Sequence, residues 1–253
     1  MISTGFITFT KREIYRFLIL YKQTIIPGLL SSLLYIIVFG NTLGKKIDLD
    51  NGVEYINFII PGLTMMTILN QAYQNSASSI MQGKYLKFIE DILILPLSGL
   101  EITFGYIIGG AIRGLISGLG IIIICLFLTN FSINNYLLTL FYLIIVSWTF
   151  SAFGVIVGIY AKTWDAVGSF SNFIILPMTF LGGVFYSIDM LPLFWRNISY
   201  INPIFWMING IRHSTINVDE TSVLISIIVS LSFCVIFTFI AAVLFTTGYK
   251  IKS

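Results

Sequence analysis

The side chains able to do acid–base, nucleophilic or metal chemistry are few here and badly spaced for it. His213 is the only histidine, so neither a histidine zinc site nor a Ser-His-Asp arrangement can be assembled. Cys125 and Cys234 both lie in apolar runs and read as small buried hydrophobes, not as a disulfide or a metal pair. The HExxH and CxxC patterns are missing. Gly158 to Thr163 reads Gly-Ile-Tyr-Ala-Lys-Thr, without the GxxxxGK(S/T) spacing of a phosphate loop, so Lys162 is expected to be an interface lysine. No catalytic residue, metal ligand or cofactor site is expected in this chain.

What remains is polar chemistry set into apolar surroundings. Asn70, Gln71, Gln74 and Asn75 follow Pro61-Gly62 within one long apolar run. Such amides either cement helix packing or line a conduit for a polar or amphiphilic molecule, and the sequence leaves both open. Arg113 stands about fifteen residues into another run, where an arginine needs an acidic, aromatic or water-exposed neighbour. Glu101 is twelve residues earlier, roughly 18 Å along a helix, too far to be a direct partner. Arg113 is therefore expected to face a neighbouring chain, a polar path or headgroups. Around it Gly105, Gly109, Gly110, Gly114 and Gly118 have the spacing that lets helices approach closely.

A third group lies between apolar runs, in Met81 to Pro96. Gly83 and Pro96 bracket a piece long enough for about three helical turns. Tyr85, Phe88, Ile89 and Ile92 would share one face, with Lys84, Lys87 and Asp91 on another. A short helix of this kind suits docking into a groove of a soluble partner; lying flat on a membrane is the alternative.

The elements that position these groups follow from composition. Of 253 residues 57% are hydrophobic and only 10% charged, with a mean hydropathy of +0.94. A soluble domain of this length could not cover its surface with so few charges, so the chain is read as an integral membrane protein. The net charge of +3 is too small and scattered for nucleic-acid binding. No cleavable signal peptide is expected, because Met1 to Tyr21 carries charges throughout. Beta-barrel alternation is absent. Runs long enough to span a bilayer as helices are 24–44, 55–79, 98–129, 133–160, 167–187 and 222–247.

Charge orients these six runs. With the N-terminus inside, the cytoplasmic segments carry Lys11, Arg12, Arg16, Lys22, Lys84, Lys87, Lys162, Lys250 and Lys252. The outer segments carry only Lys45, Lys46, Arg196 and Arg212. That asymmetry places both termini in the cytoplasm. The stretch 190–214 is too polar for a lipid-facing span and too aromatic for an open loop, so it reads as re-entrant or interfacial helices. Residues 1–22 read as an amphipathic surface helix, with Phe6, Phe9, Glu13/Ile14 and Phe17 at helical spacing. The expectation is one all-α integral membrane domain over 1–253, with six transmembrane helices and the non-spanning helices 1–22, 81–95 and 190–214.

Particular stretches, in this order and spacing, resemble the permease subunit of type-2 ABC transporters, and its bacterial drug-export-like branch most. They are Phe39-Gly40-Asn41, Phe58-Ile59-Ile60-Pro61-Gly62-Leu63, Ala77-Ser78-Ser79 and Gly109-Gly110-Ala111-Ile112-Arg113-Gly114. Ala161-Lys162-Thr163-Trp164-Asp165, Leu181 to Ser187 and Leu191-Pro192 to Asn202-Pro203 complete the set. The resemblance covers about Phe9 to Gly248.

The resemblance implies a half-channel in the bacterial inner membrane. A second copy of the permease would complete the path, and two separate ABC ATPase subunits, which bind ATP and Mg, would sit below. It implies that the segment holding Lys84, Tyr85, Lys87, Phe88, Glu90 and Asp91 is the coupling helix, and that the N-terminal surface helix also contacts the ATPase. Asn70, Gln71, Gln74, Asn75 and Arg113 are then path-lining or packing groups. Export of an amphiphilic or hydrophobic molecule is the implied function. A secondary transporter or channel, and a non-transporting assembly protein, are the alternatives; a neighbouring gene for a chain with GxxxxGK(S/T) would discriminate among the three.

Overall fold

The computed structural model describes residues 4–42 and 53–248, and every described secondary-structure element is helical. Lys45, Lys46, Lys250 and Lys252, with most of the expected outer loop, lie outside the described residues. The N-terminal helix α1 (Thr4–Ile19) and a short α2 (Tyr21–Thr24) lead into α3 (Ile26–Thr42). Then come α4 (Tyr55–Tyr85), α5 (Ile89–Leu93), α6 (Gly99–Leu128) and α7 (Tyr136–Tyr160). The chain continues through α8 (Trp164–Phe170), a π turn (Ser171–Ile175) and α9 (Leu176–Leu181). After a 3-10 turn (Ile188–Met190) follow α10 (Leu193–Ile201), α11 (Pro203–Ile216) and α12 (Val223–Thr247).

Four helical stretches among the described residues are long and apolar enough to cross a membrane: Tyr21–Gly40, Gly99–Leu128, Tyr136–Tyr160 and Val223–Thr247. The second expected span is diluted by its amides. It is nonetheless the centre of the molecule, since 22 of the 31 residues of α4 are buried against α3, α6, α7 and α11. Gln71 and Asn75 are buried among protein, which removes most of the cost those amides would have in lipid.

The fifth expected span, 167–187, is not one continuous α-helix. Pro177 opens α9, and a proline has no N–H to bond the preceding turn, which accounts for the wide π turn before it. Gly183 then ends the helical run at φ 77°. Phe173 and Phe180 point outward from this broken run.

The 190–214 stretch divides at Asn202-Pro203. The Asn202 side chain accepts from Ile204 N at 3.0 Å and donates to the Met178 carbonyl at 2.6 Å, capping α11 and tying it to α9. Leu193, Phe194, Trp195 and Ile201 of α10 are exposed, as befits an interfacial helix. By contrast α11 is mostly buried and packs on α4, α7 and α12.

Glycine decides how close the helices come. A Cβ on Gly110 would lie 2.3 Å from both Ser76 Oγ and Ser151 Oγ, so α4, α6 and α7 meet there almost backbone to backbone. On another side of α6 a Cβ on Gly105 would lie 2.4 Å from Phe9, and there α1 docks. A central cluster built on α4, α7 and α11 and a second one around Phe9, Ile89, Ile102 and Tyr106 form the core.

Candidate functional site

The expected three-turn coupling helix is two pieces. Helix α4 runs through Gly83 to Tyr85, and α5 holds only five residues. Between them Lys87 adopts φ 60°, a left-handed turn costly for a lysine. Burial accounts for the turn: Ile89 and Ile92 reach the second core cluster, and Phe88 folds back to within 3.3 Å of where a Gly83 Cβ would stand. Tyr85, expected on the same face, is 69% exposed. The result is a bent knuckle with Lys87, Glu90 and Asp91 exposed on its outer side.

Lys84 is not on that outer side. Its ammonium donates to the carbonyls of Ile159 and, at 3.3 Å, Ala161. These are carbonyls at the end of α7, where a cation complements the helix dipole. Burial there pushes the Lys84 pKa down to about 8. The downstream flank is fixed as well, because Ser98 and Glu101 form a reciprocal capping box at the start of α6.

Helix α1 is clamped to the same end of the bundle. Phe9 meets Tyr106 edge-on at 5.1 Å, and the Arg12 guanidinium lies 4.8 Å from the Phe88 ring centroid. Glu13 is buried; it accepts from Ser79 Oγ at 2.6 Å and pairs with Arg16 at 3.6 Å. Arg16 also donates to the backbone and side-chain oxygens of Asn75, at 2.7 and 3.1 Å. The amphipathic helix read from the sequence thus buries its Phe9–Glu13–Phe17 face against protein.

The amides of α4 are largely engaged. Gln71 Oε1 accepts from Arg113 Nε at 2.8 Å, and a second Arg113 nitrogen donates to the Thr24 carbonyl at 2.9 Å. Asn70 donates to Met66 O at 2.9 Å and accepts from Ser171 Oγ at 3.2 Å. Gln74 is half-buried. Arg113, Gln71 and the α2–α3 elbow are therefore one cluster, while Asn75 belongs to the α1 clamp one turn further along.

One charged site escaped the sequence reading. Arg212, counted there among the outer basic residues, is fully buried. It pairs with Glu220 at 3.2 Å, donates to the Gly183 carbonyl at 2.6 Å, and lies 3.9 Å from the Phe58 ring centroid. His213 beside it pairs with Asp219. Arg212 and Glu220 are eight residues apart across a helix end, so no helical periodicity announced them. The free cysteines are buried, and among the described residues no group of three or more His, Cys, Asp or Glu could hold a metal ion.

A glycine-seamed bundle with a docked N-terminal helix and a charged knuckle is the architecture of a membrane permease subunit. The chain belongs to the ABC-2 type transporter family, which matches residues 4–216. It is 36% identical over 242 residues to the inner membrane transport permease YadH of Escherichia coli (strain K12), covering 96% of this chain and 94% of that protein. It is also 26% identical over 195 residues to nodulation protein J of Rhizobium leguminosarum bv. viciae, covering 75% of this chain and 73% of the relative. The chain is thus a multi-pass membrane transport subunit with no catalytic motif of its own, and its family implies an assembly with a separate ATPase subunit.

Proposed function

We propose that this chain is the membrane half of an ATP-driven exporter of the bacterial inner membrane. In this reading two copies pair, all six apolar runs cross the bilayer, and both termini are cytoplasmic. Two separate ATPase subunits bind ATP and Mg and press on the knuckle between α4 and α6. The cargo is an amphiphilic or hydrophobic molecule, drug-like, lipid or glycolipid, moved outward from the cytoplasm or inner leaflet.

The observation that carries the proposal is the two-sidedness of the knuckle. Lys87, Glu90 and Asp91 are exposed, while Ile89 and Ile92 beneath them are buried in the core. A push on the charged side must move α4 and α6 together, because the apolar side has no slack. Lys84 extends the same push to α7 through the Ile159 and Ala161 carbonyls.

The test is Glu90→Lys with Asp91→Lys, in the complex reconstituted into vesicles with its ATPase. Reversing two rim charges opposes complementary charges on the partner, so ATPase assembly weakens or hydrolysis uncouples from transport. Unchanged assembly together with unchanged substrate-stimulated hydrolysis would refute the contact.

A further inference from the structure

We infer that the cleft at Gln71, backed by the charge of Arg113, is a docking site for the headgroup of an anionic phospholipid of the inner leaflet. The argument begins with charge. Among the described residues Arg113 has no carboxylate within ion-pair distance; the four ion pairs found belong to Arg16, Arg196, Arg212 and His213. Its two bonded neighbours, Gln71 Oε1 and the Thr24 carbonyl, are neutral. Arg16 is already offset by Glu13. The Arg113 cluster therefore keeps one uncompensated positive charge, and a guanidinium in a membrane bundle calls for an anion.

Arg113 also fixes which atoms the site offers. A guanidinium only donates, so the Gln71 oxygen must face it, and the Gln71 NH2 must face the other way. That other way is Gly28, where a Cβ would come within 2.3 Å of Gln71 Nε2. The missing side chain leaves the NH2 at a half-open cleft of about 130 Å³ between α3 and α4, lined also by Ser31, Tyr35 and Asn70. The cleft thus presents the Gln71 NH2 as a donor, the charge of Arg113 stands directly behind that amide, and no carboxylate lines the cleft. An acceptor-rich headgroup with a negative phosphodiester fits that set.

Level in the membrane selects the leaflet. Arg113 lies one helical turn along α6 from Gly109, where a Cβ would stand 2.7 Å from Glu13 Cβ of the surface helix α1. Its other partner, Thr24, ends α2 immediately before the apolar helix α3. Both neighbours belong to the boundary between the N-terminal helix and the first span. With the N-terminus cytoplasmic, the one part of the proposed reading on which this inference rests, that boundary is the inner headgroup layer. Leu34 and Val38 of α3, one turn on from the cleft residues Ser31 and Tyr35, are exposed and offer a track for an acyl chain.

The experiment needs neither the ATPase nor transport, so its failure would leave the export proposal standing. Leu34→Trp is introduced into the full chain, which is reconstituted in phosphatidylcholine bilayers. A fixed fraction of dibrominated lipid is then added, as phosphatidylglycerol or as phosphatidylcholine, and quenching is compared after subtracting that of the protein without the new tryptophan. Phosphatidylglycerol is expected to be enriched about five-fold at the site, the effect of one basic charge at an anionic surface. On the same background Arg113→Gln abolishes the excess and Arg113→Lys retains most of it. Equal quenching by the two lipids, or an excess that survives Arg113→Gln, overturns the inference. Should Arg113→Gln fail to fold, the two-lipid comparison with Arg113 in place still decides.

Discussion

The Arg212 guanidinium lies 3.9 Å from the centroid of Phe58, so a charge carried on α11 is seated on an aromatic face of α4. The same group is paired with Glu220 at 3.2 Å and bonded to the Gly183 carbonyl at 2.6 Å. Three separate pieces of chain therefore converge on one side chain with no exposure to solvent. Arg212→Met strands the Glu220 carboxylate in that environment, and breaking a buried pair from one side costs about 3–5 kcal/mol. Adding Glu220→Gln removes the stranded charge and is expected to restore most of the loss. Thermal unfolding of the purified protein in detergent measures both; a double variant no more stable than Arg212→Met alone would refute the pairing.

How legible this arrangement was in the sequence depends on what held each residue. Apolar length alone located α6, α7 and α12, because 25 to 30 consecutive helical residues leave little other choice in a lipid setting. The glycines of α6 signalled close approach, but not that Gly105 receives Phe9 while Gly110 receives Ser76 and Ser151. Residues 81–95 misled because helical spacing placed Tyr85 with Phe88, Ile89 and Ile92. Burial of Ile89 and Ile92 instead goes with the left-handed turn at Lys87. Arg113 was recognised as a charge in need of a partner. Its partners, a glutamine oxygen and the Thr24 carbonyl, are neutral groups that no charge pattern could reveal.

Lys84 has a pH signature. Its pKa is about 8 in the folded protein against 10.5 for a solvated lysine, so the unfolded chain binds more protons between those values. Stability from this group therefore rises as pH increases through that window, and the burial penalty is complete below it. Lys84→Met cannot titrate. The difference in melting temperature between the parent protein and Lys84→Met is expected to move in the parent's favour from pH 7 to pH 10. A difference that stays constant across that range would show that Lys84 is not held in a desolvated site.

Two glycine-to-alanine changes should act in opposite directions. At Gly110 the new methyl meets Ser76 Oγ and Ser151 Oγ at 2.3 Å and the Ala72 carbonyl at 2.8 Å. Those serines also bond each other at 2.7 Å, so α4 and α6 must separate, at a cost of about 1–3 kcal/mol. At Gly168 in α8 nothing lies within 4 Å of the new atom, and a helical alanine is favoured by about 0.5–1 kcal/mol. Parallel melting curves test the pair, and equal effects of the two changes would contradict the helix seam.

The N-terminal helix should be held by Glu13 more than by its apolar face alone. Glu13 accepts from Ser79 at 2.6 Å and pairs with Arg16 at 3.6 Å, and Arg16 in turn holds Asn75. Glu13→Ala removes the carboxylate and leaves both the Arg16 charge and the Ser79 hydroxyl short of a partner, where a lost charged hydrogen bond costs about 1.5–3 kcal/mol. Glu13→Gln keeps an acceptor for Ser79 and should lose less. Because α1 packs on one side of the bundle, against α6, α2 and the α4 residues Asn75 and Ser79, that loss is spent locally, as detachment of the helix ahead of global unfolding. Hydrogen exchange over 4–19 reads this directly. Amides of α1 are expected to exchange faster in Glu13→Ala than in Glu13→Gln, with those of α7 unchanged in both. Uniform acceleration across α1 and α7 would mean that Glu13 supports the whole bundle and that α1 has no separate latch.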